Sequence, residues 1–106
     1  MDVTTVEKLE VEVVRWAKQK GIFDKSNPII QMSKMLEEAD ELYDEVIERE
    51  PNREAIKNEL GDVLVTCVIQ ANFRGLHLQT CLEAALNKIT KRTGKLINGQ
   101  FVKDSY

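Results

Sequence analysis

The chain has 106 residues, with 15 Lys and Arg against 18 Asp and Glu and a formal net charge of −3. That length fits one domain, 1–106, with a modest core. The acidic balance argues against a partner that is a nucleic-acid polymer, although a nucleotide needs only a local basic cluster. No apolar run approaches the ~20 residues that span a bilayer and no signal peptide is visible, so a cytoplasmic protein without a membrane partner is expected. Cys67 and Cys81 have no C-x-x-C or zinc spacing with the single histidine, His77, and Cys67 reads as a reduced core residue.

Four helices are predicted. Thr4-x-x-Glu7 is a capping box, followed by Val6, Leu9, Val13 and Trp16 at helical spacing, with a stop near Gly21. The segment "GIFDKSN" reads as a loop. Asn27 caps a second helix and Pro28 suits its first turn. Its apolar positions are Ile29, Met32, Met35, Leu36, Ala39, Leu42, Tyr43 and Val46, and it ends before Pro51. Asn52 caps a third helix reaching about Gly75, with Leu60, Val63, Leu64, Cys67, Val68 and Ala71 as its buried stripe. Thr80-x-x-Glu83 opens a fourth, with Leu82, Ala85, Leu86 and Ile89 inward. In the tail, Asn98-Gly99 between short apolar pairs signals a small hairpin.

Acidic residues break this pattern in two places. The second helix carries Glu37, Glu38 and Glu41, and the third carries Glu59 and Asp62. Glu38 with Glu41, and Glu59 with Asp62, are each three apart and share a helix face, where like charges repel. A divalent cation removes the conflict, because Mg²⁺ prefers oxygen ligands and leaves positions open for water and phosphate. Carboxylates on facing helices of a bundle build such sites. An E-E-x-x-E string by itself is usually a solvated face. Asp62 is harder to dismiss, since Asp is a poor helix former and apolar residues flank it. Gly61 beside it costs ~1 kcal/mol relative to alanine, and its small size is expected to let backbone or ligand approach.

Basic residues cluster later, in "LNKITKRTGK", with Lys88, Lys91, Arg92 and Lys95. Lys88 and Arg92 share a face, and Asn87 and Lys91 the neighbouring one. Cations at a helix C-terminus also answer the macrodipole, so phosphate contact competes there with simple solvation. Trp16 is most simply a core aromatic, or a surface on which a base stacks. Gln31, Lys34, Glu38 and Glu41 form a polar stripe beside the apolar one.

Taken together, "EEADE" at 37–41, "ELGD" at 59–62 after seventeen intervening residues, and "KITKR" at 88–92 resemble the MazG-like nucleotide pyrophosphohydrolases, within the all-α nucleoside triphosphate pyrophosphatase superfamily. The likeness runs from Trp16 to the "NGQFVKD" tail and is to the short bacterial and phage-type members. It implies an all-α, four-helix bundle-like fold completed by oligomerisation, as a homodimer or homotetramer. It implies Mg²⁺-dependent hydrolysis of (deoxy)nucleoside triphosphates to the monophosphate and pyrophosphate, with Mn²⁺ as a substitute metal. By position, Glu38, Glu41, Glu59 and Asp62 would be the catalytic metal ligands and Glu37 a supporting acid. Lys88 and Arg92 would bind phosphates, and Trp16, Gln31, Lys34 and Asn87 would lie toward the nucleotide. Many members carry Asn two residues before the motif Lys; here that place is Leu86, and Asn87 follows it. Two other readings stand beside this one: a non-catalytic helical oligomer with solvated acids, and a nucleotide- and metal-binding sensor without turnover.

Overall fold

In the computed structural model residues 4–104 are described. The single-domain reading also takes in 1–3 and 105–106, which lie outside the described residues. Helix α1 spans Val6–Gln19. Its cap is Thr5, not Thr4: the Thr5 hydroxyl accepts from the Lys8 N–H at 3.1 Å. Adjacent threonines offer the same acceptor, and the frame adopted turns Glu10 and Ala17 inward, seven residues apart on one face.

The expected loop after α1 contains a single helical turn, α2 (Ile22–Lys25), entered through Gly21 at φ 75°. A left-handed residue there is what glycine supplies. Phe23 of this turn meets Phe73 edge to face, with ring centroids 5.1 Å apart. A four-residue turn is too short to show periodicity, so its support is tertiary and invisible in the local sequence.

The next two helices start where expected. Asn27 caps α3 (Pro28–Val46) by accepting from the Ile30 N–H at 2.9 Å. Asn52 caps α4 (Arg53–Phe73) by accepting from the Glu54 and Ala55 N–H groups at 2.9 and 3.1 Å. These two helices form the main interface of the fold. They run antiparallel: the Gln70 amide near the end of α4 donates to the Pro28 carbonyl at the start of α3, at 2.7 Å, while Glu41 meets Glu59 near the other end.

Helix α5 (Leu78–Ile89) begins before Thr80, so the predicted capping box is not used. His77 stands at the cap position without a side-chain bond. The cap comes instead from α1: the buried Glu10 carboxylate accepts from the Leu78 N–H through both oxygens, at 2.8 and 3.1 Å. A carboxylate placed at a helix N-terminus satisfies an orphan donor and meets the positive end of the macrodipole. Glu83 takes the Gln79 amide at 2.8 Å.

The tail forms the expected hairpin, β1 (Gly94–Ile97) against β2 (Gln100–Lys103), with Gly94 opposite Lys103. Asn98 and Gly99 both have positive φ, 52° and 79°, as a two-residue primed turn requires. Gly94 is demanded by packing, since a Cβ there would collide with the Val102 carbonyl.

The buried apolar core of the described residues is only Ala17, Val68, Ile69 and Ala71. Several predicted inward residues are not covered: Leu60 and Leu64 are 46% and 53% exposed, and Leu82, Leu86 and Ile89 are 67%, 55% and 52% exposed. The described chain contributes no further layer against these faces. The total accessible area is 8802 Å², against about 6,000 Å² for a compact monomer of this mass. Among the described residues, no helix is long and apolar enough to cross a membrane.

Candidate active site

The antiparallel register of α3 and α4 brings Glu41 level with Glu59, and by the same register Glu38 level with Asp62. The three-residue spacing within each acidic pair therefore matches across the interface. Carboxylate oxygens of Glu38, Glu41 and Glu59 all lie within 4.8 Å of one another. Glu38 is buried, Glu59 is half-buried and Glu41 is at the solvent edge. Asp62 is not part of this trio. It is exposed and lines the adjoining pocket.

Two oxygens in this cluster, Glu38 Oε2 and Glu59 Oε2, are buried and accept no hydrogen bond. Buried carboxylate oxygens without partners are costly, and native proteins seldom tolerate them without an ion or water. Repulsion from Glu38, then burial, then Glu59, raises the Glu41 pKa above the ordinary 4.5. Glu38 Oε1 has a partner: the Lys34 ammonium stands 3.2 Å away and also reaches Glu37 at 3.5 Å. Those contacts, the Glu38 bond foremost, raise the Lys34 pKa above 10.5. Three converging carboxylates, two of which each carry an orphaned buried oxygen, fit a hard divalent cation.

Beside the trio lies a cavity of about 570 Å³. Its apolar wall is Trp16, Ile22, Ile30, Val65 and Ile69, and its polar wall includes Gln31, Ser33, Lys34, Glu37, Glu38, Asp62 and Thr66. Trp16 is half-exposed on this wall and not a core residue. The Gln31 amide donates to the Ser26 hydroxyl at 3.0 Å, which holds the side chain at the α2–α3 junction. Glu38 lines the cavity and also belongs to the trio.

Lys88 lies in the last turn of α5 and Arg92 just beyond it, and neither lines this cavity, nor does Asn87. The structure thus gathers Trp16, Gln31, Lys34, Glu37, Glu38 and Asp62 around one cavity and leaves the predicted phosphate cations elsewhere in the chain. Gly61 has open space around it: a methyl group there would meet nothing within 4 Å, so close approach within this chain does not explain the glycine. Sequence reasoning also missed Ser26 and Thr66. Thr66 is buried in the cavity wall and donates to the Val63 carbonyl at 2.6 Å. Both look like ordinary loop and helix residues in sequence. Cys67 and Cys81 are unpaired thiols; Cys67 is half-buried and not one of the buried core residues, and its partial burial pushes the thiol pKa up.

Carboxylates converging from antiparallel helices beside an aromatic-lined cavity are an arrangement that can hold a cation next to a ligand. Residues 27–97 match the MazG nucleotide pyrophosphohydrolase domain. The chain belongs to that family and is a hydrolase acting on nucleotide pyrophosphate bonds. No curated protein matches the sequence. Among solved structures, the Bacillus-conserved MazG protein, a nucleotide pyrophosphohydrolase, is 30% identical, with a TM-score of 0.71 over 88% of this chain and 97% of that one. The YPJD protein of Bacillus subtilis is 25% identical, with a TM-score of 0.69 over 86% of this chain and 100% of that one. The cyanophage S-2L MazG-like pyrophosphohydrolase, whose structure holds dGDP and three catalytic Mn²⁺ ions per active site, shares the fold at 22% identity, with a TM-score of 0.73 over 97% of this chain and 96% of that one.

Proposed function

We propose that the chain is one catalytic domain that hydrolyses (deoxy)nucleoside triphosphates to the monophosphate and pyrophosphate with Mg²⁺ as its natural metal. The observation that carries this reading is the pair of orphaned buried oxygens on Glu38 and Glu59, with a Glu41 oxygen within 4.8 Å of ligand atoms on both. In this reading Glu38, Glu41 and Glu59 hold the metal, and Asp62 joins them from the cavity side. A divalent cation at this place supplies positive charge against phosphate oxygens and acidifies water. The cyanophage relative's complex with a nucleotide and Mn²⁺ supports both the metal and the ligand class.

The chain's own groups do the rest. Trp16 with Ile22 and Ile30 offers an apolar surface for a base, and excludes water from one side of the cavity. Glu37 restrains the Lys34 ammonium. Gln31, held by Ser26, faces the same cavity. Lys88 and Arg92 do not line the cavity of one chain, so a phosphate role for them rests on the assembled oligomer. The exposed area exceeds the compact-monomer value by roughly 2,800 Å² per chain, or about 5,600 Å² for two chains, the scale of the larger obligate interfaces, which are counted over both partners. Ile29, Leu36 and Tyr43 of α3, 81%, 61% and 62% exposed, recur every seven residues along one face, as a helix-pairing seam does. A homodimer or homotetramer covers these faces.

The test is a panel of ribo- and deoxyribonucleoside triphosphates with Mg²⁺, scoring monophosphate and pyrophosphate separately, with Asp62→Asn in parallel. Pyrophosphate release that the substitution abolishes is the expected result. No release from any triphosphate, or a fully active Asp62→Asn, refutes the reading.

A further inference from the structure

Lys34 is the one basic side chain lining the cavity among the described residues. It shares that wall with three acids, Glu37, Glu38 and Asp62. A polyanionic ligand entering there meets net negative charge, and Lys34 alone opposes it. Its ammonium sits 3.2 Å from Glu38 Oε1, while Glu38 Oε2 is buried without a partner. One oxygen of this carboxylate thus has a resident cation and the other lacks one. Lys34 is about half exposed, and its contacts with Glu37 and Glu38 are short-range pairs on one helix face. The exposed Glu37 contact contributes little, whereas Glu38 is buried, so its pair with Lys34 gives way only when another cation takes that carboxylate.

We propose that Lys34 is the phosphate-side residue of this site and a displaceable counter-cation: its ammonium neutralises Glu38 in the metal-free protein and turns to the substrate's polyphosphate once a divalent cation takes Glu38. This rests on the reading that the acidic trio holds a metal and the cavity a nucleoside triphosphate. The consequence is a pair of opposite effects. In the metal-free protein Lys34 opposes the incoming cation, both as a like charge and as a competitor for Glu38. In the loaded protein it attracts phosphate, as a mobile point charge with three donors. A merely structural surface pair has neither effect.

Calorimetric titration with Mn²⁺ alone, then with an α,β-non-hydrolysable nucleoside triphosphate in saturating Mn²⁺, separates the two. Lys34→Met is expected to bind Mn²⁺ on the order of tenfold more tightly and the triphosphate analogue on the order of tenfold more weakly. Lys34→Arg keeps the charge and stays close to wild type in both titrations. Lys57→Met, which removes a comparable 3.3 Å pair with Glu54 outside the cavity, leaves both unchanged. Melting curves confirm that each variant is folded. Lys34→Met with unchanged or weaker Mn²⁺ binding, or with unchanged analogue binding, overturns the proposal for Lys34 while the metal site stands. A wild-type protein that binds no Mn²⁺ overturns the metal site and this proposal together.

Discussion

Glu59→Gln removes one charge from the trio at nearly constant shape, and its effect has opposite signs with and without metal. Ligand oxygens on Glu38 and Glu59 lie within 4.8 Å. Two unit charges at that distance repel by about 0.9 kcal/mol in water and about 3.5 kcal/mol at an effective dielectric of ~20. Glu38 is buried and Glu59 half-buried, which places the pair between these limits. Relief of about 1–3 kcal/mol raises the melting temperature of the metal-free variant by at least about 4 °C at this chain length. Wild type gains about 2.7 kcal/mol from metal at a hundred times its Kd, because only the folded state binds. The variant, short of one ligand, gains far less. The assay is thermal unfolding by circular dichroism at one protein concentration, in chelator and in a Mg²⁺ or Mn²⁺ series. A variant that melts below wild type in chelator, or that responds to metal as wild type does, refutes the account of Glu59 as an orphaned ligand.

Three further outcomes are expected. Glu41 has a raised pKa, so the folded state binds more protons than the unfolded chain across that window. Stability of the metal-free protein therefore falls as pH rises from about the ordinary 4.5 through the raised value, and added metal reverses the slope because it binds the ionised carboxylates; melting temperatures at stepped pH with and without metal check the sign. Glu10→Ala removes the side-chain cap at the N-terminus of α5 and is expected to cost about 1–3 kcal/mol, with loss of amide-exchange protection beginning at Leu78. Leu36→Asp with Tyr43→Asp on the exposed α3 face is expected to shift sedimentation velocity toward monomer and to lower activity with it; an unchanged boundary would move the subunit contact to another face.

Local chemistry alone determined a good deal. Asn27 with Pro28 and Asn52 carry their capping acceptors in the sequence, so α3 and α4 begin where periodicity and propensity place them. Asn98-Gly99 admits positive φ at both positions, so the hairpin is equally visible. The three-residue spacing of Glu38 with Glu41 and of Glu59 with Asp62 puts each pair on one helix face, whereas packing brought Glu38, Glu41 and Glu59 together and left Asp62 on the cavity wall. Tertiary structure decided the rest. The α5 boundary depends on Glu10, 68 residues from Leu78, and nothing near Thr80 reveals it. Helix α2 depends on Phe73, and the half-exposed placement of Trp16 on which elements surround it. Apolar periodicity marks the faces of α4 and α5 that avoid water, but not what covers them: Leu64 and Leu86 look alike in sequence to Val68 and are exposed in this chain. The choice of Lys34 over Lys88 and Arg92 at the cavity wall is of the same kind, since a lysine's charge is written in the sequence and its neighbours are set by packing.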